Sequence, residues 1–391
     1  MRRTLRAVLL VVGFGTTSLV GLTARVAPAE AVPVCQPPND VAVQSIPWAQ
    51  ARLDVDRVWP MTTGVGVTVA VLDTGVSSTT PALAGRVLPG VDVTGSGSAR
   101  SDCMGHGTFV AGLIAGRPEN GSAFHGVAPD ARILPIRVVA TQDGANEDVP
   151  PDLLAAGINA ALDAQAAIIA TPATAPYGSP ALTGAMARAQ RDGVLVIAPA
   201  HTARNQSGDI AEPGASPEVL RVAGIDATGT PLVSTLSKIN PTVCAPAADL
   251  TSVPPTGAGT ITGSGESLAV GYVAGVAALM LSYRPGLTPA AVASRLVSTA
   301  TPLASGVSPA LVGAGLVDPE AAVLGVPPGP GQPSPSQASL PPLKVPPLET
   351  QSRAKVGPVL LSVLSMAFGA VLVGVVGVVI RSGRSRGWRA D

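Results

Sequence analysis

Asp73 closes the apolar run "VTVAVLDTGV", His106 stands between glycines in "DCMGHGTFVAGLIAG", and Ser267 heads the small-residue stretch "SLAVGYVAGVAALM". Each has an ordinary role when taken singly. An Asp in Asp-x-Gly commonly bonds its own turn backbone, a lone His is usually structural, and a Ser at a helix start commonly serves as N-cap. Together they make a relay. Ser267 attacks a carbonyl, His106 takes its proton, and Asp73 fixes the imidazole tautomer and stabilises its cation. Unpaired N–H groups at the head of the helix would steady the oxyanion. Ser264, three residues earlier, is a second candidate for the cap or for the nucleophile.

Such residues need a frame that brings them together. From about Pro47 to Leu324, β-branched runs ("VGVTVAVLD", "ARILPIRVVA", "AAIIA", "GVLVIAPA", "EVLRVAGID") alternate with Ala/Gly/Leu-rich stretches of helical length. Runs that are apolar on both faces predict buried parallel strands, so the expected fold is a three-layer α/β domain with helices on both sides of the sheet. Functional groups in such folds collect beyond the carboxyl ends of the strands, where Asp73 lies.

The 391-residue chain balances 25 basic against 25 acidic residues, so no net field recruits nucleic acid. Charged residues make up only 13% and the mean hydropathy is +0.40, which directs attention to membrane segments. Residues 1–31 combine a basic start, a short apolar run and the ending Ala29-Glu30-Ala31, the pattern of a secretory signal. Residues 32–323 form the globular part. Residues 324–355 are Pro-rich and predict an extended tether, reaching on the order of 90 Å at roughly 3 Å per residue. Residues 356–380 carry no charge and are long enough to span a bilayer. The Arg-rich tail 381–391 then predicts a cytoplasmic end and an external domain. Three cysteines in an exported chain allow one disulfide, with the pairing open. No metal-ligand spacing is present, so no cofactor is expected.

"AVLDTGV", "GHGTFVAG" and "GESLAVGYVAG" resemble the Asp, His and Ser motifs of subtilisin-like serine proteases, which share this chain order. The stretch "PWAQARLDVDRVWPMTTGVGVTVAVLDTGV", the "DC" before "GHGT", the Pro-rich tether and the C-terminal apolar segment are similar to the mycosins, membrane-anchored members associated with type VII secretion. The resemblance covers roughly Cys35 to Ile380. It implies a subtilisin-like fold, a protein or peptide substrate, a membrane-embedded secretion complex as partner and a Cys35–Cys103 disulfide. It leaves Cys244 without its usual partner and gives His125 a structural role. The short segment before Asp73 is expected to wrap the domain, held by Cys35, because fewer than about 40 residues rarely fold alone.

The sequence also departs from the family. The oxyanion Asn is replaced: Thr202 falls in its place and His201 in that of the preceding Gly, with His201, Thr202 or Asn205 as substitute donors. In subtilisin, losing that Asn costs about 10²–10³ in turnover. Glu266 replaces a small Thr before the nucleophile. A charge aimed inward would repel the oxyanion by roughly 4 kcal/mol at an effective dielectric of 20, against about 1 in water. Gly271 replaces a Pro. Pro172 and Pro176 remove N–H donors from the strand that pairs with substrate. These changes raise a second reading, an inert protease-shaped subunit of a secretion complex.

Overall fold

The computed structural model describes residues 35–95, 97–140, 149–176, 178–200, 211–233, 240–303, 306–325, 377 and 381–382. The predicted signal 1–31 and tether lie outside them, apart from Leu324 and Gly325. So does the predicted span, apart from Gly377. The chain divides into two units, Met1–Ser336 and Gln337–Asp391.

The strands of the first unit are β1 (Thr68–Asp73), β2 (Val91–Asp92), β3 (Arg132–Arg137), β4 (Ile168–Ala170), β5 (Ala175–Pro176), β6 (Leu195–Pro199), β7 (Ala211–Glu212), β8 (Leu220–Ile225), β9 (Val243–Pro246), β10 (Leu250–Ser252) and β11 (Ile261–Gly263). Its helices are α1 (Trp48–Leu53), α2 (His106–Ala115), α3 (Pro151–Asp163), α4 (Pro180–Arg191), α5 (Glu266–Tyr283), α6 (Pro289–Thr299), α7 (Pro309–Val312) and α8 (Pro319–Leu324).

Seven strands form one sheet in the order β2-β3-β1-β4-β6-β8-β9, and every pairing in it is parallel. Alternation decides which helix each side chain meets. Val69 and Val71 of β1, Ile168 of β4 and Ile197 of β6 share a core with α2 and α5. Ala70 and Leu72, with Ile169 and Val196, point to the other face and pack on α3 and α4. This is why β1 is buried along its whole length and shows no polar alternation in sequence.

The strand order turns back at β1, with β2 and β3 on one side and β4 onward on the other. Asp73 is thus at the carboxyl end of the strand at the switch point. Among the described residues one helix is long and apolar enough to cross a membrane: α5, which is mostly buried in this core. It runs through Gly271 without interruption.

Residues 35–44 lie along the domain surface. Gln36 N–H bonds Cys103 O, Asn39 N–H bonds Thr256 O, and Ala123 N–H bonds Val43 O. Cys35 is disulfide-bonded to Cys103. Cys244 is free and buried in β9, whose outer edge is covered by Gly315 and Val317. The short strand "VCAP" has no periodicity to reveal it, and the sequence pattern does not predict it.

Candidate active site

Asp73 is 2% exposed at the end of β1. Its Oδ1 accepts from Thr74 N–H at 2.7 Å, which aims Oδ2 away from its own turn. Oδ2 lies 2.7 Å from His106 Nδ1, and His106 Nε2 lies 3.1 Å from Ser267 Oγ. A carboxylate only accepts, so Nδ1 carries the proton and Nε2 is left to accept from the serine hydroxyl. The three residues are distant in sequence and meet because α2 and α5 pack on the same face of the sheet, against β1.

The approach of α2 to β1 depends on Gly107. A Cβ there would stand 2.0 Å from Gly75 O and 3.0 Å from Asp73 Cβ, so any side chain would push His106 off the strand. Asp102, to which the sequence motifs assign no role, is buried beneath this junction. Its Oδ1 accepts from Thr74 Oγ1 (2.9 Å), Met104 N–H (3.1 Å) and Gly105 N–H (2.8 Å). Its Oδ2 accepts from both Thr108 N–H and Thr108 Oγ1. Thr74 Oγ1 in turn accepts from Gly107 N–H at 3.0 Å. One carboxylate therefore fixes the turn after Asp73 and the loop before His106. The signal in the sequence is Asp102 followed by Thr108 six residues on, across the start of a helix.

Burial raises the Asp102 pKa, hydrogen bonds from Thr108 and Gly105 lower it, and repulsion from Asp73 raises it; the balance is upward. For His106, burial disfavours the cation. The Asp73 charge, the hydrogen bond to it and the Asp102 charge outweigh burial, so the His106 pKa lies above the ordinary 6.5.

Around Ser267 two expectations change. The N-cap of α5 is Gly265, and Ser267 sits within the first turn, where its hydroxyl is turned to His106. Ser264 does not cap α5 and is not the serine that meets His106 Nε2. Its Oγ accepts from Asp249 N–H at 2.8 Å, which supports a left-handed residue (φ 48). Glu266 turns inward, with Oε1 accepting from Gly224 N–H of β8 at 2.9 Å. His201, Thr202 and Asn205 follow the end of β6 and lie outside the described residues.

Pro172 is buried just past β4, and Thr174 O is taken by Val149 N–H at 2.7 Å. Pro176 is exposed in β5, which pairs antiparallel with β7. His125 has no place in the relay. Its Nδ1 meets Gly126 O at 3.0 Å, its Nε2 meets Asp56 at 3.2 Å, and its ring packs edge-on against Trp59.

The subtilase family matches residues 64–315, which include all three relay residues. The chain belongs to the subtilase family. This subtilase is a serine-type endopeptidase, and it is similar to the mycosins. It is 34% identical over 356 residues to Mycosin-1 of Mycobacterium tuberculosis, covering 77% of this chain and 78% of that protein. Among solved structures it matches the serine protease MycP1, described as an essential component of the type VII (ESX-1) secretion system. That match has a TM-score of 0.61 at 32% identity, over 75% of this chain and 91% of the other. It also matches a chain of the periplasmic assembly of the ESX-5 inner membrane complex. There the TM-score is 0.63 at 28% identity, over 80% of this chain and 94% of the other.

Proposed function

We propose that this subtilase is a membrane-anchored endopeptidase working outside the cytoplasmic membrane in association with a type VII secretion complex. Ser267 is its nucleophile, His106 its general base and Asp73 the group that holds the imidazole. The observation that carries the reading is His106, bridging the Asp73 carboxylate at 2.7 Å and the Ser267 hydroxyl at 3.1 Å. Ser267 Oγ adds to the scissile carbonyl as its proton passes to His106 Nε2. The tetrahedral intermediate collapses with that proton delivered to the leaving amine. Water, deprotonated by the same imidazole, then releases the acyl group and restores Ser267.

The oxyanion needs donors without the family's Asn. The Ser267 N–H at the start of α5 is one, and His201, Thr202 and Asn205 are the side-chain candidates. The segments 1–31 and 356–380 support export and a single anchor, with the tail 381–391 inside. The ESX-1 and ESX-5 relatives support the secretion complex as partner. The inert-subunit reading is not favoured, because the relay is complete and the family is one of serine proteases.

A fluorophosphonate probe tests the chemistry. The chain should label, and Ser267→Ala should not; a folded parent chain that fails to label overturns the hydrolase reading. Protease added to intact cells tests the anchor. It should release the domain by cutting within 324–355, and full protection would refute the external placement.

A further inference from the structure

Ser267 is only the second residue of α5, and no side chain caps that helix. A first turn left to itself frays, because its leading N–H groups have no partners within the helix. Besides the bond from Ser267 to His106, contacts with the sheet end hold this turn from outside. Gly265 N–H donates to Ala247 O at 2.8 Å, beyond the end of β9. The Glu266 carboxylate accepts from Gly224 N–H at 2.9 Å, in β8.

The second contact replaces a rung of the sheet. Among the described residues the β6–β8 ladder runs as far as Ala200 N–H to Val222 O. Backbone groups two residues apart on a strand point to the same side, so Gly224 presents its N–H and C=O on that same β6 edge. Leu232 N–H takes the C=O at 2.9 Å, and Glu266 takes the N–H. Strand and helix are in close contact here. A Cβ on Gly224 would stand 2.8 Å from Glu266 Cγ and 2.5 Å from Ala247 Cβ, so the position must stay bare. The charge of Glu266 is accommodated as well, since an acidic residue in the first helical turn meets the positive end of the helix.

We propose that Glu266 is a positioning residue for the reaction. Its carboxylate pins the first turn of α5 to the end of β8 through Gly224, and this pin holds the Ser267 hydroxyl at bonding distance from His106. It does so by accepting a hydrogen bond, so the required property is an oxygen at that place. Its negative charge is not required. The proposal rests on the reading of Ser267 as nucleophile. A displacement of 1 Å at a reacting group can cost about 100-fold in rate, which sets the scale of the effect.

The test compares the full-length chain with Glu266→Ala and Glu266→Gln, measuring the rate of fluorophosphonate labelling and hydrogen exchange of the segment containing Gly224. Glu266→Ala should slow labelling about 10- to 100-fold and speed exchange of that segment. Glu266→Gln keeps an amide oxygen at the same reach and should restore both to within about threefold, the scale expected when a hydrogen-bond acceptor is retained. For substrate turnover, the Ala variant should lose kcat with KM little changed. Labelling of Glu266→Ala at the parent rate overturns the positioning role, and so does a Gln variant as slow as Ala. A parent chain that does not label at all is a different result, which removes the hydrolase reading on which the role depends.

Discussion

Thr108 gives both its backbone N–H and its hydroxyl to one oxygen of Asp102, at 2.8 and 2.7 Å. The other Asp102 oxygen collects Thr74, Met104 and Gly105. Asp102 touches none of the relay atoms, yet it joins the turn after Asp73 to the helix that carries His106. Removing it leaves buried donors unpaired, each worth about 1–3 kcal/mol. Asp102→Ala should therefore lower stability by roughly that much or more in a denaturant titration, and slow fluorophosphonate labelling. Unchanged stability would show that the loop holds without this carboxylate.

The upward pKa of His106 sets the direction of a pH profile. A general base acts as the neutral imidazole, and a raised pKa keeps the proton on to higher pH. The labelling rate should thus rise with pH through a midpoint above the ordinary value of about 6.5. Asp73→Asn should move that midpoint downward and reduce turnover, by about 10⁴-fold if it follows the same swap in a serine-protease triad. The stability sign follows from the same linkage. The Asp73–His106 contribution is fully present below the unfolded histidine pKa and is lost as pH rises through the folded one. A midpoint below about 6.5 in the parent would contradict the electrostatics of the buried pair.

The cysteines should separate cleanly by chemistry. Cys35 and Cys103 close a separation of 68 residues, and a loop of that length corresponds to about 4 kcal/mol of chain entropy. Reduction, or Cys35→Ser with Cys103→Ser, should lower the Tm by several degrees and loosen the segment 35–44. Burial pushes the Cys244 thiol up to about 12, so iodoacetamide should modify it at about pH 8 only after denaturation. Peptide mapping that found Cys244 bridged to either other cysteine would overturn this assignment.

Much of the site is legible in one dimension. Asp73, His106 and Ser267 each stand at a point where an apolar run meets glycine, and the strand and helix textures between them predict the sheet that gathers them. Asp102 is harder to read, because its partners are mostly backbone N–H groups and a sequence carries no sign of where those point. Ser264 and Ser267 are equivalent as letters. The difference between them is a turn at Asp249 in one case and an imidazole in the other.

The residue types and their order determined on their own which chemistry the chain carries, the parallel α/β frame and the place of Asp73 at the end of a buried strand; that this strand lies at the switch point of the sheet came from the strand order. The tertiary structure decided directions. In sequence Glu266 is a misplaced charge beside a nucleophile; in the fold, β8, 42 residues earlier in the chain, supplies the Gly224 N–H that it binds. The physical reason is that hydrophobic periodicity is a local property and survives in sequence. The partner of a polar side chain is chosen by packing between distant elements, and only the folded chain brings those elements within hydrogen-bond reach.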